Sequence, residues 1–266
     1  MSVLSRAMKP FLAKCFVSDS GPTTIRRGLL RGRSLPREIA AANLSMVFGT
    51  YERRIVEVIA ENARGCDVAY DVGSHVGYMS LLLAECVAEN GRVIAFEPSS
   101  REAALVEKLA SCNGLEGKLT VERVAVCDEN GQVSFQPNDS SFTGILDKAP
   151  ESRREGRVTT VPAVTLDSFV YERGKPAPDF IKIDAESAEA MVVAGAAELL
   201  RRKRPKMVIE VHGPDACRDT IAGVLAHGYR IHRVTDGTPV AVTSPDQLRP
   251  LFGKNKWTLH IVALPG

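Results

Sequence analysis

The chain has 266 residues, of which 44% are hydrophobic and 25% charged, the balance of a folded globular protein rather than a disordered or fibrous one. No uncharged run exceeds 13 residues, short of the roughly 18 that a membrane-spanning helix requires, and a net charge of +2 gives no reason to expect a nucleic-acid partner. The charge is unevenly spread: residues 1–40 hold eight Lys and Arg against Asp19 and Glu38, which leaves residues 41–266 at −4.

Residues 1–48 are therefore expected to form a basic N-terminal arm, flexible or helical, suited to touching an acidic membrane surface. Arg6, Lys9 and Lys14 interrupt the early apolar stretches, so no secretory leader is expected. The acid-poor start is also compatible with a transit peptide. The six cysteines, at 15, 66, 86, 112, 127 and 217, form no CxxC pair and no zinc-finger spacing, which fits reduced thiols in a cytoplasmic protein.

From residue 66 onward, short apolar runs alternate with helix-period stretches, the mark of βα repeats and a mostly parallel sheet with helices on both faces. Asp67 to Val72 reads as a buried strand, and Tyr78 to Ala88 reads as its helix, with Met79, Leu82, Leu83 and Val87 on one face. A second strand covers Gly91 to Phe96. Helix 99–112 follows, opened by a Ser-Ser-Arg-Glu cap, and a third strand runs from near Leu119 to Val126. Turn-forming residues interrupt the rhythm at 127–178, which reads as an insertion over the sheet containing β-like runs at 133–135 and 157–161. The repeat resumes with strand Asp179 to Asp184, a helix from about Glu186 to Arg202, strand Lys206 to His212, a helix from about Asp215 to Ala226, and strands Tyr229 to Val234 and Trp257 to Val262. Residues 49–266 are thus expected to be one domain of seven strands.

The segment Asp71-Val-Gly-Ser-His-Val-Gly77 ends a strand in an acid and turns into a helix on two glycines, presenting backbone N–H groups to an anionic ligand. Its G-x-x-x-G spacing lacks the middle glycine that a dinucleotide pyrophosphate needs. Glu97, at the end of the second strand, can accept both hydroxyls of a ribose. Asp71, Gly73, Ser74, His75, Gly77, Tyr78, Glu97, Pro98, Ser99 and Val126 are the candidate cofactor-binding residues. The blander alternative is a plain βα turn with an acid favoured at a helix N-terminus.

These residues belong to five blocks in one order: Asp71 to Tyr78, Ala95-Phe-Glu-Pro98, Thr165-Leu-Asp167, Ile181-Lys-Ile-Asp-Ala-Glu-Ser-Ala-Glu189 and Ile209-Glu-Val-His212. In order and spacing they resemble the FkbM-type S-adenosylmethionine-dependent methyltransferases, over roughly residues 49–235, beginning at Gly49-Thr-Tyr-Glu52. The resemblance implies a class I methyltransferase, Rossmann-like α/β fold with a seven-stranded sheet. It further implies S-adenosylmethionine as cofactor and O-methylation of a sugar or polyketide hydroxyl. One departure is Ser187, where the family usually has glycine, so the turn there is expected to be shaped differently.

Methyl transfer to oxygen needs a group to take the hydroxyl proton. Asp184, Glu186 and His212 are the catalytic candidates, because strand ends at the sheet's carboxyl edge are where ligands bind. Glu186 and Glu189 are expected to share a face at the start of the following helix, where they could instead merely complement its positive end. Asp184, Glu210 and His212 could hold a hard cation, although the spacing does not demand one. His232 and His260, within strands, read as core or surface residues, and Arg201 to Arg204 as a solvated helix end. An NAD-dependent oxidoreductase and a non-catalytic nucleoside-binding module remain as alternatives. The missing glycine counts against the first.

Overall fold

The computed structural model describes residues 15–137, 144–147, 159–253 and 257–266. It opens with a hairpin of β1 (Thr23–Thr24) and β2 (Ser34–Leu35), then α1 (Arg37–Ala42), α2 (Leu44–Phe48) and α3 (Arg53–Ala63). The βα repeat follows as β3 (Val68–Val72), α4 (Tyr78–Cys86), β4 (Arg92–Phe96), α5 (Ser100–Cys112) and β5 (Leu119–Glu122). Next come β6 (Ala125–Val126), β7 (Gly131–Pro137), β8 (Gly144–Asp147), β9 (Thr159–Val164) and a π-helical turn at Ser168–Glu172. The C-terminal part comprises β10 (Phe180–Ile183), α6 (Glu189–Ala194), α7 (Ala197–Arg202), β11 (Lys206–His212), α8 (Pro214–Ala226), β12 (Tyr229–Arg233), β13 (Val240–Val242) and β14 (Thr258–Pro265).

The main sheet runs β13-β12-β14-β11-β10-β3-β4-β5. Its members β11, β10, β3, β4 and β5 are parallel neighbours, and β14 enters antiparallel to β11 and β12. All seven expected strands are present; an eighth, β13, joins because the residues after β12 fold back on it as an antiparallel partner. Chain order reverses at β3, with β4 and β5 on one side and β10 and β11 on the other. This is the switch point at which open α/β sheets bind ligands. One apolar core, including Leu82, Val106 and Ile39, and a second, including Val192, Leu199 and Ile221, cover the two faces.

Several expected elements are reshaped. The third strand stops at Glu122, and Val126 belongs instead to a second sheet of order β6-β9-β7-β8, built largely from the expected insertion. This sheet buries Val133, Phe135, Val161 and Ala163 on a small core of its own. Tyr78 to Ala84 are all buried, so α4 is enclosed rather than amphipathic, and Val87 is its cap. The expected long helix after Asp184 breaks into α6 and α7 at Gly195, where a Cβ would stand 2.0 Å from the Cys127 carbonyl oxygen. Asp167 restarts the helix by accepting the N–H groups of Glu198 and Leu199 at 2.8 and 2.7 Å. At α5 the expected cap takes another form, with the Ser99 hydroxyl bonded to the Glu102 carboxylate rather than to backbone. The described part of the expected arm is packed: Val17, Ile25, Leu30, Leu35, Ile39 and Val47 are buried in the same core as α4. Residues 1–14 lie outside the described residues.

Candidate active site

The tips of the parallel strands border a cleft of about 290 Å³, at the lower end of the roughly 300–1,000 Å³ usual for small-molecule sites. Of the expected cofactor residues, Gly73, His75, Glu97, Pro98 and Val126 line it, together with all three catalytic candidates, Asp184, Glu186 and His212.

Gly73 and Ser74 donate their N–H groups to the Phe96 carbonyl, tying the β3 turn to β4, both at 3.1 Å. A Cβ on Gly73 would lie 1.8 Å from the Asp184 carbonyl oxygen, and its φ is +74°. Bare backbone is needed there for the close approach of β3 to β10. Gly77 packs against Val106 and Leu109 of α5, which a Cβ would meet at 3.0–3.2 Å.

Five expected cofactor residues do not border the cleft. Asp71 is fully buried, bonded to the Ser80 hydroxyl at 2.5 Å and 3.2 Å from the Lys182 ammonium. Lys182 also donates to the Gly73 carbonyl at 3.1 Å and faces Asp184 at 3.4 Å, so Asp71 acts through Lys182 on the turn. Ser74 and Gly77 shape that turn, and Tyr78 is buried edge-on against Tyr51. Ser99 holds Glu97 with its N–H at 2.9 Å.

Glu97 is 7% exposed and accepts from the N–H of His75 at 2.8 Å as well as from Ser99. Burial pushes its carboxyl up to about 7, against the pull of these two donors. Phe96, Pro98, Val124, Val126 and Phe135 supply apolar wall around it. A buried carboxylate with spare lone pairs beside an apolar wall fits a ribose and its attached base, because each ribose hydroxyl is a donor.

At the other end, Glu189 is fully buried and organises the turn after β10. Its Oε1 accepts from Ala185 N at 3.2 Å and Ser187 N at 3.0 Å and pairs with His212 Nδ1 at 2.9 Å. Glu186 therefore does not share a helix face with Glu189. It sits in a left-handed turn before α6, at φ +47°, and reaches the cleft from there. His212 Nε2 faces Asp184, Glu186 and Glu210 oxygens at 3.6, 3.7 and 3.8 Å. Burial opposes a charge on His212, yet the Glu189 bond and the Asp184 and Glu186 carboxylates outweigh it and push the imidazole up to about 9. Asp184 is held above the usual carboxylate range by burial and by the Glu210 charge. Burial also acts on Glu210, but its bond to His260 and the charge there bring it down to about 2. His260 is thus a partner of the site rather than a bystander in its strand.

Sequence reading missed Tyr51 and Glu52, which reach the cleft from the turn before α3, and Phe135, which reaches it from the second sheet. Glu52 carried a signal only as part of the Gly49-Thr-Tyr-Glu52 block. Its left-handed φ of +40° marks a strained residue held in place. Nothing in local pattern points to Phe135. No helix among the described residues is long and apolar enough to cross a membrane.

The chain is similar in sequence to known methyltransferases. Residues 71–231 match the methyltransferase FkbM domain. The 31-O-demethyl-FK506 methyltransferase FkbM of Streptomyces tacrolimicus is 27% identical over 194 residues, covering 62% of this chain and 73% of that protein. The hexuronic acid methyltransferase AglP of Haloferax volcanii is 23% identical over 161 residues, covering 60% of this chain and 62% of that protein. Among solved structures, methyltransferase FkbM from Methylobacillus flagellatus KT has a TM-score of 0.46 at 14% identity, covering 98% of this chain and 59% of that one. The family match sets aside the oxidoreductase and non-catalytic alternatives. The chain belongs to the FkbM-type S-adenosylmethionine-dependent methyltransferase family.

Proposed function

We propose that this methyltransferase transfers the methyl group to a hydroxyl of a carbohydrate or secondary metabolite. The observation that carries the reading is that Glu97 and the Asp184, Glu186 and His212 cluster line one cleft. They follow β4, β10 and β11, with β3 between the first two, so Glu97 and Asp184 stand two strand spacings apart, roughly 10 Å. That separation suits a cofactor lying across the switch point with its nucleoside at one end and its reactive group at the other. The two relatives, a methyltransferase of 31-O-demethyl-FK506 and one of hexuronic acid, support an acceptor of this class.

Bound S-adenosylmethionine supplies an electrophilic methyl group on a sulfonium. Glu97 would accept from the ribose hydroxyls, held for that by the His75 N–H of the glycine turn. Phe96, Pro98, Val124, Val126 and Phe135 exclude water from the base. Asp184 accepts the acceptor's hydroxyl hydrogen and so aims the oxygen. The proton passes into the Asp184, Glu186 and His212 group, whose members are close enough to titrate as one unit.

Asp184→Asn keeps the shape and loses the proton-accepting charge. It should lower turnover by about 10²–10⁴, the range for a general base, while calorimetry shows S-adenosylhomocysteine affinity largely kept. Full activity in this variant overturns the assignment. Mass spectrometry of candidate glycans incubated with methyl-labelled cofactor identifies the acceptor.

A further inference from the structure

The acceptor end of the cleft holds a gap that proton handling alone does not need. His212 is 6% exposed, and its Nε2 has no hydrogen-bond partner among the described residues, yet it points at Asp184 Oδ1, Glu186 Oε2 and Glu210 Oε1 across 3.6, 3.7 and 3.8 Å. A direct charge-assisted bond would close such a separation to about 2.7–2.9 Å. Instead the ligand atoms of Asp184, Glu210 and His212 lie within 4.8 Å of one another. Three atoms so spaced all fall within about 2.4 Å of a common point, the length of a calcium–oxygen contact and slightly more than a magnesium–oxygen one.

The groups behind these ligands hold them in that pose. Glu189 accepts from His212 Nδ1 at 2.9 Å, so a cation that displaces the Nε2 proton finds that lone pair aimed at the gap. Glu210 is held through its other oxygen by His260 at 3.0 Å, and Asp184 through its other oxygen faces Lys182 at 3.4 Å. Each carboxylate is thus anchored from the rear and turns one oxygen toward the gap.

We propose that Asp184, Glu210 and His212 form a binding site for one divalent cation of the magnesium or manganese class. The site's existence stands apart from the transfer reading; its role rests on it. A hydroxyl bound to the cation loses its proton more readily. With the cation in place Asp184 is a ligand rather than the base, so the proton goes to Glu186, the oxygen's electron pair bonds to the methyl carbon, and the carbon–sulfur pair leaves on sulfur as the neutral thioether.

The test is titration of the full chain with manganese(II), read by electron paramagnetic resonance, in which bound ions leave the free-ion spectrum. One ion per chain, displaced by magnesium, is expected. Glu210→Gln and His212→Gln should each weaken manganese binding at least tenfold, and S-adenosylhomocysteine affinity within about twofold of wild type shows that the cleft is folded. Absence of binding at millimolar manganese, or equal binding by wild type and both variants, overturns the site. S-adenosylhomocysteine binding without manganese binding sinks the cation site alone, whereas loss of both in the wild type sinks the methyltransferase reading as well.

Discussion

A carboxyl group that is 7% exposed and has two N–H donors among the described residues is costly to ionise, and Glu97 is such a group. With its pKa pushed up to about 7, the cofactor-free protein holds it neutral in mild acid and charged in mild base. The ribose hydroxyls are donors and favour the charged form, so binding is full above pH 7 and weakens as pH falls through that value. Calorimetry should show S-adenosylhomocysteine binding about five- to tenfold weaker at pH 6 than at pH 8. Glu97→Ala should bind weakly at both pH values, without the step. A wild-type affinity flat across this range would place the carboxylate off the ribose. Folding stability of the cofactor-free chain follows the raised pKa: the contribution of this residue is present in acid, below the ordinary Glu range, and is lost as pH rises through about 7. The place of Glu97 in the cleft was legible in sequence because the end of a second βα strand lies on the sheet's carboxyl edge. Asp71 was misread as a direct ligand because the sequence does not reveal that Lys182 comes between it and the cleft.

At the level of elements, the turn from Asp184 to Glu189 decides the acceptor end of the site. Its backbone is bent through left-handed conformations at Glu186 and Ser187, with φ of +47° and +80°. Serine therefore occupies a conformation that glycine takes more freely. The expected difference appears as strain, because an L side chain in this region costs about 1–2 kcal/mol. Ser187→Gly should remove part of that strain, offset by greater freedom of the unfolded chain. Denaturant unfolding should show a net gain of up to about 1 kcal/mol, with Glu189 still accepting the backbone N–H of residue 187. A net loss in this variant would indicate that the weak Ser187 hydroxyl contact to the His212 carbonyl, at 3.4 Å, contributes more than the strain costs. The periodicity of the sequence suggested one helix from this turn to Arg202. What broke it is a contact with Cys127, about seventy residues away in the chain, and local pattern carries no record of such a neighbour.

For the molecule as a whole, the N-terminal segment from Val17 to Val47 is part of the main core. Ile39 is 2% exposed and packs in the cluster that also holds α4. Ile39→Ala should cost about 2–5 kcal/mol, and urea unfolding should remain a single transition. A separate early transition would mean that this segment folds independently of the sheet. The basic charge of residues 1–40 suggested an arm, since charge counts see composition and not the buried Ile25, Leu30 and Leu35 beneath the exposed arginines. Sequence by itself determined the succession of the seven strands along the chain, the glycine turn, and that Glu97, Asp184, Glu186 and His212 lie at the sheet's carboxyl edge. Each follows from short-range periodicity and from the rule that a parallel sheet presents its carboxyl ends to ligands. Tertiary structure alone decided that Tyr51, Glu52 and Phe135 close the cleft, that Glu189 and His260 hold His212 and Glu210 from behind, and that Asp71 works through Lys182. These are contacts between segments distant in the chain, set by how the layers pack, and no local spacing encodes them.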